Sequence, residues 1–407
     1  FKQFMKITYI THACLFIEVG NKKILTDPWL VGPSWGGSLW HFPTHNFTPK
    51  NLPTPDIIYF SHGHDDHFHE PTINAFPKSW LKAKIVVPKY KEKWWSESLE
   101  AKFKDIHYVK HNNIYKINRD LSMQIFMNDN GDIDSSLKIK FKDKSCFLQT
   151  DNLMSIKEAR RIGQLGKIDI AFVLPYLTGI YPAYYKMPKK KMIIQGKKKK
   201  HNSLNYCLNI VKNLKPKHVV PFAVDVASLG GNFYANFIHN NNKNDLCKFL
   251  KKDKSLPETI IMNPGNYVNF HTNNRLEKKL SKYDFSKAAF TKFKQKKARE
   301  FKKINANEKK LEPFKKDEII DNFIKKVQNG FDGIKKINFN VIFFIKLKNQ
   351  KNIKIFINFK NKKIEKKASN VIKHKPDLAI FSEFYKIANL VKGKYSMNFM
   401  TFHNGSI

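Results

Sequence analysis

The chain has 407 residues, 42% of them hydrophobic, enough to bury one large core and a second, smaller one. Its formal charge of +40 comes from 74 basic against 34 acidic residues, yet the arginines are confined to Arg119, Arg160, Arg161, Arg275 and Arg299. Bidentate recognition of phosphate or guanine favours arginine, which argues against nucleic-acid binding; abundant Lys, Asn, Ile and Phe read instead as the product of an AT-rich coding sequence. The charge still creates a field that attracts anionic small molecules.

In chain order, Lys6 to Ile10, Leu15 to Val19 and Lys23 to Thr26 alternate as strands around a turn at Gly20-Asn21, a β-meander. A loop rich in Gly, Trp and Pro follows from Val31 to Pro53, too long to be idle in a compact domain. Ile57 to Phe60 and Lys84 to Pro88 read as buried strands with a helix between them. Ile106 to Ile117, Met123 to Met127, Ser136 to Phe141 and Ser145 to Gln149 are further strands, the last pair a hairpin around Lys142-Asp143-Lys144. A helix over Ile156 to Ile162, a strand over Ile168 to Leu174, a Tyr/Pro loop at Gly179 to Tyr185 and a lysine-rich stretch from Lys189 to Lys200 come next. A helix from Ser203 to Leu214 leads to a strand from His218 to Phe222. This order predicts two mixed sheets face to face with helices outside. From Tyr267 the texture changes. Leu276 to Phe301 and Lys315 to Val327 read as solvated helices, Ile337 to Leu347 and Ile353 to Phe359 as a hairpin around Asn349 to Asn352, and Asp377 to Lys392 as strand plus helix. The expected domains are therefore 5–266 and a lysine-rich α+β unit of unknown role over 267–407, with no internal repeats.

The longest apolar region, Ile168 to Tyr185, is broken by Asp169, Pro175 and Pro182, so no membrane span is expected. Cys14, Cys146, Cys207 and Cys247 lack any C-x-x-C or C-x-H spacing and read as reduced thiols of a cytoplasmic protein. His12, Glu18 and Lys22-Lys23 interrupt the early apolar stretch, and no cleavage site follows, which argues against a signal peptide. The first methionine is Met5, behind Phe1: either the true start is Met5 or an upstream region is missing.

The densest chemistry lies in Ser61-His62-Gly63-His64-Asp65-Asp66-His67, directly after an apolar run. Hiding three imidazoles and a carboxylate in a core costs several kcal/mol unless each finds a partner, and a divalent cation partners them together. In an extended segment His62 and His64 point to one side; a turn at Asp65 returns Asp66 and His67 toward it. His62 and His64 can hold one metal, while Asp66 and His67 hold a second or position a water on the first. His69 and Glu70 are expected to be carried away by the helix that follows. Asp151, at a strand end, is placed either to reach the same site or to cap the next helix.

These residues resemble a known pattern. His62-Gly63-His64-Asp65-Asp66-His67 is similar to the H-x-H-x-D-H motif of the metallo-β-lactamase superfamily, with Thr11-His12-Ala13 and Asp27-Pro28-Trp29-Leu30 matching its lactonase-like and phospholipase-like branch. Asp27 to Pro33, the Asp134-Ser135-Ser136 region, the helix beginning Ser203-Leu204-Asn205-Tyr206 and Pro221-Phe222-Ala223 resemble, more narrowly, the non-Rieske part of the CMP-N-acetylneuraminate hydroxylase family. The resemblance covers roughly Lys6 to Asn244. It implies an αββα metallo-β-lactamase sandwich followed by a smaller α+β C-terminal unit, with His62 and His64 as first-site ligands, Asp66 and His67 as second-site ligands and Asp151 bridging. A superfamily histidine expected near Met127 is replaced by Asn128-Asp129-Asn130, and another after Val219 to Pro221 by Phe222-Ala223; Asp129, Asp132 or Asp225 are the candidate oxygen substitutes.

The implied cofactor is zinc or iron, one or two ions, and no iron–sulfur cluster is expected from the cysteine pattern. The implied activity is metal-dependent chemistry on an anionic sugar or nucleotide sugar, with Asp66 and Asp151 catalytic and a separate Rieske or reductase partner if the reaction is a hydroxylation. Trp29, Trp35 or Trp40 would stack on a base, Lys189, Lys190 and Lys191 would neutralise a phosphate or carboxylate, and Phe222 would line the substrate site. The alternatives are a stand-alone lactonase or phosphodiesterase and a non-catalytic binding protein that kept the fold.

Overall fold

The computed structural model describes residues 4–391 except 180, 230–232, 239, 272–274, 310–315, 332–337, 348–350 and 368–375. Its first elements are β1 (Phe4–Thr11), β2 (Cys14–Val19), β3 (Lys22–Thr26), β4 (Leu39–His41), β5 (Ile57–Tyr59), α1 (Glu70–Asn74), β6 (Lys84–Pro88), α2 (Lys93–Glu100) and β7 (Ile106–Val109). There follow β8 (Ile114–Lys116), β9 (Leu121–Met127), β10 (Ser135–Phe141), β11 (Lys144–Leu148), α3 (Ile156–Gln164), β12 (Ile170–Val173), α4 (Lys189–Leu214), β13 (His218–Pro221), β14 (Val226–Ser228), α5 (Ala235–Ile238), α6 (Lys243–Leu250), β15 (Glu258–Thr259), β16 (Tyr267–His271) and β17 (Leu276–Lys279). The remainder comprises α7 (Lys287–Lys309), α8 (Lys316–Gly330), β18 (Asn340–Lys346), β19 (Ile353–Asn358), β20 (Lys363–Lys367), β21 (Leu378–Glu383) and α9 (Phe384–Val391).

Strand alternation builds the sandwich. Met5, Ile7 and Tyr9 of β1 and Leu15, Ile17 and Val19 of β2 point inward, against Met123, Ile125, Leu137, Ile139, Cys146 and Phe172 of the facing sheet. The opposite side chains, Ile10, Cys14, Phe16 and Leu25, pack with Ile73, Trp95 and Leu99 beneath α1 and α2. Behind the second sheet, Phe126, Phe147 and Ala171 meet Ile162, Cys207, Val211 and Leu246 from α3, α4 and α6. The sheets run β17-β16-β1-β2-β3-β5-β6-β7 and β15-β13-β12-β11-β10-β9-β8, giving the expected αββα order. Helices α3 and α4 approach closely because Gly163 has no side chain; a Cβ there would lie 2.2 Å from the Asn213 carbonyl oxygen.

Three sequence expectations change. The strand expected over Ile106 to Ile117 is two strands in different sheets, β7 and β8, because Asn112 turns the chain at φ 63°. The lysine run at 189–200 and the helix from Ser203 are one 26-residue helix, α4, since a solvated lysine face interrupts no backbone hydrogen bonding. The boundary expected at 266/267 falls inside the first sheet: β16 pairs with β1, Met5 opposite Phe270 and Ile7 opposite Val268, and β17 extends it where a helix was expected from Leu276. The four-stranded sheet β20-β19-β18-β21, covered by α8 and α9, forms a separate core around Phe323, Phe343, Ile345, Ile355 and Ile387. The hairpin expected there is present as β18 and β19, but part of its loop lies outside the described residues.

Candidate metal centre

The donors gather where strands of both sheets end. His12 sits in the β1–β2 turn, Asp27 follows β3, Ser61 to His67 follow β5, Asp134 precedes β10 and Asp151 follows β11. Three of these connections place non-glycine residues in left-handed backbone: His12 at φ 44°, Asp27 at φ 35° and Thr150 at φ 53°. Such a conformation costs about 1–2 kcal/mol per residue and persists only where neighbours over-determine it. They do so here. The His12 carbonyl accepts the Tyr9 hydroxyl at 3.0 Å and Ala223 N–H at 3.1 Å, and the Thr150 hydroxyl donates to the Ser135 carbonyl.

Behind the donors a hydrogen-bond relay aims two imidazoles. Buried Asp27 accepts the Ser61 N–H at 2.7 Å and the Ser61 hydroxyl at 2.6 Å, while His67 Nδ1 donates to its Oδ2 at 2.9 Å. Since Ser61 gives its hydrogen to Asp27, it accepts from His62 Nδ1, 2.9 Å away. Both rings thus carry Nδ1–H and turn Nε2 toward His64, Asp134 and Asp151, the tautomer a metal ligand needs. From the long loop, Trp35 Nε1 donates to Asp66 Oδ1 at 3.0 Å and Trp35 N–H to Asp65.

In front of the relay, His62 Nε2 lies 2.9 Å from His64 Nδ1 and 3.3 Å from Asp134 Oδ1. His67 Nε2 lies 3.5 Å from Asp151 Oδ1 and 4.0 Å from Asp66 Oδ2, and His12 Nε2 is 3.3 Å from Asp66 Oδ2. Three overlapping groups result, His12-Asp66-His67, His62-His64-Asp134 and His62-His67-Asp151, with ligand atoms within 4.8 Å of one another in each. His12 Nδ1 and Nε2, His67 Nε2, Asp134 Oδ1 and Asp151 Oδ1 are buried and make no hydrogen bond. Each such atom costs about 1–3 kcal/mol if nothing else satisfies it. A mixed imidazole and carboxylate set of this kind fits a zinc or iron ion.

Charge in the cluster is balanced by proton sharing. Burial holds His62 and His64 below the ordinary imidazole range, and His67 adds to the effect on His62. Burial opposes charge on His67 too, but Asp151 and Asp66 outweigh it and raise that imidazole well above its usual value. For Asp66 the penalty of burial is overcome by His67 and His12, leaving the carboxyl below its usual range. Asp134 is pushed up to about 8 by burial and the Asp151 charge.

The structure brings His62, His64, Asp66, His67 and Asp151 together, with His69 turned away onto Thr72 at 2.9 Å. The substitute oxygen donor differs from expectation. Asp134 stands beside His62; Asp129 instead holds Ser155 N–H at 2.8 Å at the start of α3, and Asp225 pairs with buried Lys243 at 2.7 Å. Asp132 lines the cavity without joining those groups. Four expected substrate contacts are corrected. Trp29 is fully buried against His41, ring centroids 3.9 Å apart, and Trp40 is buried with Nε1 on the Gly37 carbonyl. Phe222 is enclosed by Tyr9 and Phe172 in the inter-sheet core. Lys189, with Lys190 and Lys191, is exposed at the start of α4, and that helix reaches the cavity with Lys200. Trp35 does line the cavity. Reading the residues alone missed His12, Asp27 and Asp134 as site groups; their signal was a polar residue at a strand end.

Comparison with known proteins agrees with this architecture. Residues 6–156 match the model of the Beta-lactamase superfamily domain. The chain is 27% identical over 230 residues to the cytidine monophosphate-N-acetylneuraminic acid hydroxylase of Xenopus laevis, covering 54% of this chain and 38% of that protein. It is 25% identical over 265 residues to the human protein named an inactive form of that hydroxylase, covering 62% and 52% respectively. The chain thus spans about half or less of the length of these curated relatives. Solved structures with a similar chain path include the metallo hydrolase Igni18 of Ignicoccus hospitalis, at TM-score 0.45 and 18% identity over 66% of this chain and 99% of that one. Another is CmlA, a diiron β-hydroxylase from Streptomyces venezuelae, at TM-score 0.45 and 15% identity over 68% and 54%. The αββα sandwich thus contains, over residues 6–156, a match to the beta-lactamase superfamily domain, and over 54–62% of its length the chain is similar to the cytidine monophosphate-N-acetylneuraminic acid hydroxylases.

Proposed function

We propose that this chain is a metal-dependent enzyme of the metallo-β-lactamase fold acting on an anionic sugar or nucleotide sugar. One observation carries the metal-dependent part: buried donor atoms of His12, His67, Asp134 and Asp151 that make no hydrogen bond converge beside a cavity of about 780 Å³ that His64, Asp66, Asp134 and Asp151 line. His62, His64 and Asp134 would hold one ion; His12, Asp66, His67 and Asp151 would hold a second or orient what binds to the first. A bound zinc or iron ion supplies Lewis acidity and, if it is iron, redox capacity. Around it Asp27 and Ser61 would keep the imidazoles in the ligating tautomer, Trp35 holds Asp66 in place, and Asp66 and Asp151 would orient an attacking water. Likeness to the hydroxylases supports the anionic sugar substrate.

Hydroxylation would draw electrons from a Rieske or reductase component, on a partner or elsewhere in the same polypeptide, because Cys14, Cys146, Cys207 and Cys247 are buried, unpaired and dispersed, as suits a reducing, cytoplasmic setting. Among the described residues no helix is long and apolar enough to cross a membrane. A second reading, stand-alone hydrolysis of a lactone or phosphodiester, needs no electrons, and the two carboxylates beside His67, Asp66 and Asp151, favour it. Elemental analysis of the purified protein comes first: a chain without stoichiometric zinc, iron or manganese is a binding protein instead. Assays with CMP-sialic acid, with and without a Rieske component and reductase, and with a lactone and phosphodiester panel then separate the two reactions. Activity that survives His64→Ala would remove this site from either.

A further inference from the structure

The cavity that receives the metal donors is also lined by an aromatic set from a part of the chain outside residues 6–156. Phe237 belongs to α5, Phe285 to the turn before α7, and Phe290 to the first turn and a half of α7. The rings support one another. Phe290 lies 5.5 Å from Phe237 in an edge-on pair and 4.1 Å from Phe42, which also meets Phe285 at 6.1 Å. The three rings share one apolar cluster with Phe293, Phe301, Ile304, Trp40 and Leu229, which together attach α7 to the sandwich. Phe237 and Phe285 stay half-buried and, like Phe290, present apolar surface to the cavity. Apolar surface held open beside a polar site is what a complementary apolar group covers.

We propose that Phe285 and Phe290, backed by Phe237, are specificity residues for a flat, uncharged ring of the substrate, held in the same cavity as the anionic group that meets the metal donors. The inference rests on the metal-enzyme reading. It makes the segment before α7 and its first turns part of the substrate site, completing a pocket whose donors come from the N-terminal half of the chain.

The test uses the full chain loaded with zinc and two probes, phenyl phosphate and methyl phosphate, with affinities from titration calorimetry and metal content from elemental analysis of the same sample. Phenyl phosphate should bind about tenfold more tightly than methyl phosphate. Phe285→Ala should reduce that ratio to about one while methyl phosphate affinity and metal content stay unchanged. Phe290→Leu, which keeps apolar volume in a buried position, should lower the ratio severalfold with full metal content and a melting temperature lowered by only about a few degrees. Stoichiometric metal with equal affinities, with neither probe bound, or with a preference that both variants retain, overturns the aromatic wall and leaves the metal reading standing. A ring preference lost in the variants but present in a protein that takes up no metal supports the wall and overturns the metal reading. Loss of both overturns both.

Discussion

The sandwich and the C-terminal four-stranded unit bury different chemistry. The C-terminal core is built from Ile320, Phe323, Phe343, Ile345, Ile355 and Ile387, and its buried polar side chains among the described residues are Ser382 and Lys386. The sandwich buries His12, Asp27, His62, Asp66, His67, Asp134 and Asp151 at the ends of otherwise apolar strands. Apolar burial stabilises a fold without further explanation, whereas a cluster of buried imidazoles and carboxylates is a net cost unless something satisfies it. The contrast locates the candidate metal donors, among the described residues, in the first unit.

The sharpest way to break this contrast is to remove a donor from the sandwich. His67→Ala takes away the ring shared by two of the three ligand groups, and metal content should fall from stoichiometric to near zero by elemental analysis, with activity abolished. Unchanged metal content would separate the cluster from metal binding. In the C-terminal core, Phe343→Ala should cost about 3–5 kcal/mol by denaturant unfolding while metal content stays the same. A coupled loss of metal would show that the two units are not independent in the way their cores suggest. Smaller still is Asp27→Asn, which leaves every donor in place but disturbs the relay to His67 and Ser61; metal affinity should drop about 10–100-fold in a chelator competition.

The smallest effect is one of pH. Burial holds His45, in the long loop, down to about 4 against 6.5 for an ordinary imidazole. Between those values the unfolded chain binds the proton that the folded chain refuses, so stability falls as pH drops from 6.5 to 4 and loses nothing more from this group below 4. The shift alone corresponds to about 3 kcal/mol, and solvent screening at this partly exposed ring lowers the contribution to on the order of 2 kcal/mol. His45→Gln should flatten that part of the stability curve in acid melts. An unaltered slope would assign the acid sensitivity to other groups.

Much of the architecture was legible as period and punctuation. Alternation marked β1 to β3 and β9 to β12, and the cluster from His62 to His67 was visible because its members are neighbours in the chain. Asp151 stood out only as a carboxylate at a strand end. The misjudged residues share a cause: their chemistry depends on what faces them across the fold. Phe222 and Trp29 look like ligand-stacking groups by residue type, yet both are packing elements. Asp225 looks like a ligand by position, but Lys243 from 18 residues away claims it.

By itself, the sequence determined the layered fold class and the local donor cluster, since strand burial and short-range spacing are written in consecutive residues. Tertiary structure alone decided that Asp134 completes the set beside His62, that Asp27 orients His67 across 40 residues, and that His12 faces Asp66 from the opposite end of the motif. The physical reason is that a ligand set is a matter of distances between loop ends, and those distances exist only once two sheets have packed face to face.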